Sequence, residues 1–375
     1  MSAAIFWRCR VETDRINDSR SSESAAASRW GVTGASCLFS VAIFLLITLG
    51  YRAQARNFYS GILITEFILI LLPALLYALT AKASAKESLR LNKPKTVNFP
   101  IVFGIMIFAV PLAAVFNLIN LLLVDSVFGR IAIESIPAAQ NGAGLLVNLL
   151  AIAVSAGICE EFLFRGVIQG TFERFGTAKS IILAAFLFSI THLDFQKILG
   201  TFVLGALIGY IVYRTNSLYC GMFAHFTNNA IAVIAGYVSN KMAQLMGSSE
   251  EAISQISDIT VIFDIFKGME PQQLVFLLLV YGFILIFVAI IFTLLLYLLA
   301  RVNPQPHKAR FLQAGNETEA GTAEAGKMTA ASGKKGLLWL LPGLALVALW
   351  LFVQTCSFLG IQNTITAVFR QLIGA

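Results

Sequence analysis

Charge is scarce in this sequence, and its scarcity excludes most soluble proteins. Only 13% of the 375 residues are charged and 58% are hydrophobic, with a mean hydropathy of +0.79. Soluble domains carry roughly 25% charged residues. The formal net charge of +7 comes from basic residues spread over many short polar segments. Nucleic-acid binding requires a concentrated basic surface, so we exclude nucleic acid as a partner.

Paired cysteines and the common short catalytic motifs are also missing. The five cysteines form no CxxC pair and have no ligand-like spacing to histidine, which excludes a disulfide framework and a zinc knuckle. Phosphate-binding glycine-rich loops, an HExxH helix, a GxSxG elbow and internal repeats are absent as well. Any chemistry must therefore come from polar groups within the apolar segments.

Long apolar runs are what the sequence has in abundance. About 20 apolar residues are needed to span roughly 30 Å of hydrocarbon as a helix. We therefore predict an all-α fold, a polytopic transmembrane helix bundle of about nine spans in a lipid bilayer, with its active site in the bundle interior. The predicted spans are 34–51, 58–81, 98–124, 145–170, 179–195, 197–214, 217–238, 273–300 and 336–356.

Lysine and arginine predict the orientation of these spans, because cytoplasmic loops carry the excess. With a cytoplasmic N-terminus, 19 basic residues lie on the cytoplasmic side and 7 on the other. The protein is then a multi-pass integral membrane protein, of the plasma membrane if bacterial. We divide it into a polar, disordered tail (1–33), N-terminal helices (34–144), a catalytic core (145–238), an extracytoplasmic loop with the eighth helix (239–300), a flexible cytoplasmic linker (301–335) and a peripheral last helix with the C-terminal segment (336–375).

Ionisable groups inside the predicted spans mark the core as functional. A charge at membrane depth costs roughly 2.5 to 3.5 kcal/mol on insertion scales. On an α-helix Glu161 and Arg165 share one face, which predicts an internal ion pair, whereas Glu160 points away from Arg165. The polar residues that we single out are Glu160, Glu161, Arg165, His192, His225 and Asn229.

The types of these side chains suit hydrolysis. A carboxylate and a histidine facing a trapped water can share general-base work, and a second histidine with an asparagine can donate hydrogen bonds to a developing oxyanion. Counted along their helices, Glu160, His192 and His225 lie at depths compatible with one cavity open toward the cytoplasm.

Three ordered motifs resemble those of the CAAX protease and bacteriocin-processing family, also called CPBP or ABI. The motifs are Glu160-Glu161-Phe-Leu-Phe-Arg165, Phe188-Ser-Ile-Thr-His192 and His225-Phe-Thr-Asn-Asn229. The resemblance covers about 145–235. It implies an intramembrane endopeptidase in which Glu160 and His192 activate water, His225 and Asn229 stabilise the oxyanion, and Glu161 and Arg165 support the first motif.

The resemblance leaves the metal question open. Members of the family are often called metalloproteases, and Glu160, His192 and His225 could ligate zinc. They could equally form a metal-free base and oxyanion hole. The implied partner is a membrane protein or peptide substrate, whose identity and prenylation the sequence does not give; it also leaves the oligomeric state unassigned.

Two other functions compete with proteolysis. A non-catalytic relative could act as a binding, immunity or scaffold membrane protein, and the motif residues would then serve folding alone. A proton-coupled transporter could use Glu160 and the histidines as a relay, although internal repeats of the transporter type are missing.

Overall fold

The structure is a computed structural model that describes residues 31–79, 86, 89–131, 137, 139–245, 268–304, 333–361 and 364–373. All regular secondary structure within these ranges is helical. The helices are α1 (Val32–Arg56), α2 (Phe58–Leu79), α3 (Asn98–Phe128), α4 (Gly142–Phe175), α5 (Thr177–Thr191), α6 (Ile198–Thr215), α7 (Leu218–Leu245), α8 (Pro271–Val302), α9 (Gly333–Phe358) and α10 (Thr364–Ile373).

The helices confirm the predicted polytopic bundle. Eight of them within the described ranges, α1 to α4 and α6 to α9, are long and apolar enough to cross a membrane. The fifth predicted span is the shorter apolar helix α5, which ends at Thr191 and not at 195. Its 15 residues rise about 22 Å at 1.5 Å per residue. His192 lies directly after it, as the C-cap residue of the helix.

Local sequence explains where several helices begin and end. Asn57 and Asn141 cap α2 and α4 by accepting hydrogen bonds from the backbone N–H groups of Ser60 and Gly144, at 3.0 and 2.9 Å. The sharp turn that separates α4 from α5 has Gly176 at a φ of +103°, a conformation that glycine adopts without steric cost.

One end of the bundle is tied together by the segment before α3. The backbone N–H of Leu218 donates to the carbonyl of Arg90, and the Arg90 side chain forms a buried ion pair of 2.6 Å with Glu173 at the end of α4. Lys95 donates to the carbonyl of Val302 at the end of α8. These segments were all predicted to lie on one side of the membrane, and the fold brings them to one end.

Helix α9 joins the bundle through α1 and through the loop after α5. Leu340, Val347 and Val353 belong to the same hydrophobic core as residues of α1 and α4. The indole N–H of Trp350 donates to the carbonyl of Leu193 at 2.8 Å. The predicted peripheral last helix therefore contacts the residue that follows His192.

The predicted tail and linker, 1–33 and 301–335, lie almost entirely outside the described residues, as does most of the acidic connection between α7 and α8. Their predictions stay predictions.

Candidate active site

A buried ion pair forms the base of the site on α4. Arg165 Nη1 lies 2.6 Å from Glu161 Oε1, and both side chains are fully buried. Arg165 Nη2 donates to the carbonyl of Gly205 on α6 at 2.9 Å, and its guanidinium lies 4.4 Å from the centre of the Phe188 ring on α5. The predicted pair is confirmed, and it connects three helices.

Two glutamates from α4 approach the His225 ring on α7. His225 Nδ1 lies 2.9 Å from Glu161 Oε1, so Nδ1–H donates to that carboxylate. Nε2 lies 3.8 Å from Glu160 Oε2, which is too far for a direct hydrogen bond. Glu161 therefore fixes the ring and leaves Nε2 directed toward Glu160.

Close packing of α7 against its neighbours allows these contacts. A Cβ atom added to Gly157 on α4 would lie 3.1 Å from the Met222 carbonyl oxygen and from the Phe226 nitrogen of α7. A Cβ atom added to Gly221 would clash with Val212 and lie 3.0 Å from Glu161 Oε2. Because neither glycine has a side chain, α7 lies close to α4 and α6, and the polar side chains of the site can reach one another.

Phe188 lies between the two histidines. Its ring centre is 5.0 Å from that of His192 and 5.6 Å from that of His225, both in edge-on contacts. His192 Nδ1 lies 3.0 Å from the carbonyl oxygen of Phe188, so in this contact Nδ1 carries the proton and Nε2 stays available. His192 of the second motif and His225 of the third therefore contact the same aromatic ring.

Asn229 lies one turn after His225 and bridges two helices. Its Nδ2 donates to the carbonyl of Ile152 on α4 at 3.4 Å, and its Oδ1 accepts from Asn228 Nδ2 at 3.0 Å. A second proton on Nδ2 remains for another acceptor.

The candidate zinc ligands do not form a ready metal site. Across the described part of the chain, no three or more His, Cys, Asp or Glu side chains are arranged to hold a metal ion. His192 and His225 both contact the ring of Phe188, and Glu160 approaches His225 from α4.

Sequence reasoning missed Glu66 on α2. Its side chain is only 7% exposed, and the Ile64–Leu71 segment that contains it packs against the Ser155–Glu161 segment of α4. An acid inside the predicted 58–81 span is itself a functional signal, so this residue was detectable from the sequence, although its position against α4 was not.

Helical irregularity surrounds the acidic cluster. The segment Ser155–Glu161 of α4 lies between two π-helical segments, Leu149–Val154 and Phe162–Gln169, and Glu66 lies in a third, Ile64–Leu71. Such wide turns often occur at functional sites because they redirect side chains.

Comparison with known proteins gives one match. Residues 142–231, about a quarter of the chain, match the family described as type II CAAX prenyl endopeptidase Rce1-like. This segment is similar to that CAAX protease family. The match begins with α4 and contains all three motifs. The curated proteins and the solved structures gave no significant match.

The match of this segment supports an intramembrane endopeptidase at the level of the family. Because the match begins at residue 142, the position of Glu66 on α2 comes from the structure alone.

Proposed function

We propose that the protein is an intramembrane endopeptidase that hydrolyses a peptide bond of a membrane-associated protein or peptide. The observation that carries this proposal is the cluster in which Glu161 holds both Arg165 and His225 while Glu160 faces His225 Nε2. Such a cluster supplies a free carboxylate and an oriented imidazole in a water-poor interior.

Glu160 acts as the general base in this mechanism. A water molecule attacks the carbonyl carbon of the scissile bond and loses a proton to Glu160, with His192 Nε2 sharing in the orientation of the water. The Phe188 carbonyl holds the opposite nitrogen of His192 at 3.0 Å, which keeps the ring in one orientation.

His225 and Asn229 stabilise the oxyanion. When His225 is doubly protonated, Nδ1–H donates to Glu161 and Nε2–H faces the site, and the free Asn229 proton provides a second donor. Collapse of the tetrahedral intermediate breaks the C–N bond, and the proton held by Glu160 passes to the leaving amine. Atoms and charges balance without a co-reactant.

The family name suggests the first substrate to test, a farnesylated peptide ending in a CAAX sequence. The purified protein in liposomes is incubated with this peptide, and products are identified by mass spectrometry. In parallel, membrane proteomes of cells with wild-type and Glu160→Gln protein are compared for polypeptides that accumulate uncut.

We expect Glu160→Gln and His192→Ala each to lower cleavage at least about 100-fold, the usual contribution of a positioned acid or base. Asp194→Asn is the matched control, because Asp194 lies two residues from His192 and pairs with a half-exposed Lys197 at 3.0 Å. Wild-type cleavage rates in Glu160→Gln or His192→Ala would overturn the proposal, as would folded wild-type protein that cleaves neither the peptide nor any membrane polypeptide.

A further inference from the structure

The residue that follows His192 has an unusual backbone conformation. Leu193, the first residue after the C-cap of α5, has a φ of +54°. Helices often end with a residue in this left-handed conformation, and that residue is usually glycine because a Cβ atom makes the conformation unfavourable. A leucine stays in it only when the surrounding structure holds it there.

Helix α9 provides contacts that hold Leu193. The carbonyl of Leu193 accepts a hydrogen bond from the indole N–H of Trp350 at 2.8 Å. The Leu193 side chain packs against the hydrophobic core to which Val347 and Val353 of α9 belong. The Trp350 ring in turn makes an edge-on contact with the ring of Tyr51 on α1, with 5.4 Å between the ring centres. The indole is therefore fixed on one side and bonds the strained residue on the other.

A second set of contacts fixes the same loop two residues later. The ring centre of Phe195 lies 5.0 Å from that of Phe358 at the end of α9 and 5.4 Å from that of Phe128 at the end of α3. The carbonyl of Phe195 accepts from Asn120 Nδ2 at 2.9 Å. The loop between α5 and α6 is thus held by α3 and α9 together.

The conformation of Leu193 determines where α5 stops and how His192 is placed. His192 has a ψ of −11°, and its ring lies with Nδ1 3.0 Å from the carbonyl oxygen of Phe188 and with its centre 5.0 Å from that of the Phe188 ring. If Leu193 adopted the right-handed conformation that leucine prefers, the helix could continue through it. The ψ of His192 would then turn toward about −42°, and its ring would move relative to Phe188.

We propose that Trp350 is a positioning residue whose indole N–H holds Leu193 in the left-handed conformation and thereby fixes His192 against Phe188. The expected effect on cleavage rests on the proposed function. Helix α9 lies outside the matched segment 142–231. The last helix, predicted to be peripheral, therefore adds to the active site a contact that the matched segment does not contain.

NMR spectra of the reconstituted protein with isotope-labelled histidine test the effect on His192 without any substrate. The chain has three histidines, and the spectrum of His192→Ala identifies which ring signals belong to His192. Trp350→Phe keeps an aromatic ring and removes the N–H donor. It is expected to shift the His192 signals, because the ring moves relative to Phe188, and to leave the His225 signals in place.

Trp339→Phe is the matched control, because it makes the same change at a tryptophan of α9 that is 54% exposed. It is expected to shift neither histidine. Unchanged His192 signals in Trp350→Phe, or equal shifts in the two tryptophan variants, would overturn the proposal.

Cleavage kinetics distinguish the positioning of His192 from substrate binding. Trp350→Phe is expected to lower kcat about 3- to 10-fold, the range that one hydrogen bond contributes, with little change in KM. Trp339→Phe is expected to keep both constants. A kcat of Trp350→Phe equal to that of wild type, or a change in KM alone, would contradict the positioning role.

Leu193→Gly offers a rescue, because glycine adopts the left-handed conformation without steric cost. In the Leu193→Gly background, Trp350→Phe is expected to lower kcat by less than about 2-fold, since its effect passes through Leu193. A loss as large as in the background with Leu193 would overturn the proposed route. If wild type cleaves nothing yet the His192 signals shift only in Trp350→Phe, the proposed function fails while the positioning of His192 by Trp350 stands.

Discussion

Glu161 holds two side chains from different helices with one carboxylate oxygen. Oε1 accepts from Arg165 at 2.6 Å and from His225 at 2.9 Å. A buried charge is stable only when it is paired and hydrogen-bonded, so Glu161, Arg165 and His225 depend on each other. This dependence makes Glu161 a support for the site, since it holds Nδ1 of the same His225 ring whose Nε2 lies near Glu160.

Removal of Arg165 tests this dependence. We expect Arg165→Met to lower the free energy of unfolding by about 3 to 5 kcal/mol, because it leaves the Glu161 charge buried without its cation. The double variant Glu161→Gln with Arg165→Met should recover part of the loss, since no charge remains uncompensated. Thermal unfolding of detergent-solubilised protein measures both. A double variant less stable than Arg165→Met would contradict the ion-pair account.

Some contacts of the individual site residues could be predicted from the sequence, and others could not. The spacing of four residues on one helix was enough to pair Glu161 with Arg165. The three motifs predicted His192, His225 and Asn229 as site residues, and the structure brings His192 and His225 to one aromatic ring. Neither approach could place Glu66 against α4, because its position depends on which face of α2 packs there. Helix packing in lipid follows small residues and shape more than charge pattern.

Close packing of helix α7 against α4 and α6 determines the geometry of the site. Gly221 on α7 lies where an added Cβ atom would clash with Val212 of α6 and press on Glu161 Oε2. Val212 is β-branched and has little rotamer freedom in a helix. The site therefore requires glycine at this position for packing, and the sequence alone showed only one glycine among many.

Two glycines on the same helix offer a matched test. Gly221→Ala is expected to destabilise the protein by about 1 to 3 kcal/mol through overpacking and to lower cleavage by displacing Glu161. Gly236→Ala, for which an added Cβ atom meets nothing within 4 Å, should be neutral or stabilising by up to about 1 kcal/mol.

Thermal unfolding and the cleavage rate are measured for both glycine variants. Equal stability of the two proteins would show that α6 and α7 are not packed as described.

In the whole molecule the helix ends form two groups, one at each end of the bundle. These groups agree with the two sides of the membrane predicted from the loop charges. Arg90 joins the segment before α3 to the end of α4 and to the start of α7, while Arg214 donates to the carbonyl of Ala300 near the end of α8. At the other end, Asn120 donates to the carbonyl of Phe195, and Asn240 to that of Ala139. Apolar runs and loop charges were enough to predict this alternation because each span reverses the chain.

The fold fixes which ends lie together, and the basic residues predict which end faces the cytoplasm. In a background without Cys9 and the partly exposed Cys37 (Cys9→Ser with Cys37→Ser), Lys93→Cys should react with a membrane-impermeant maleimide only in inverted vesicles. Arg56→Cys, in the connection between α1 and α2, should react only in right-side-out vesicles. Both positions are exposed in the structure, and Cys159, Cys220 and Cys356 are buried.

Two other labelling results are possible, and each would lead to a different conclusion. Exchange of the two labelling patterns would reverse the orientation and leave the bundle intact. Labelling of both cysteines from the same side would contradict the bundle itself, because α2 would then fail to cross the membrane and could not pack against the Ser155–Glu161 segment of α4.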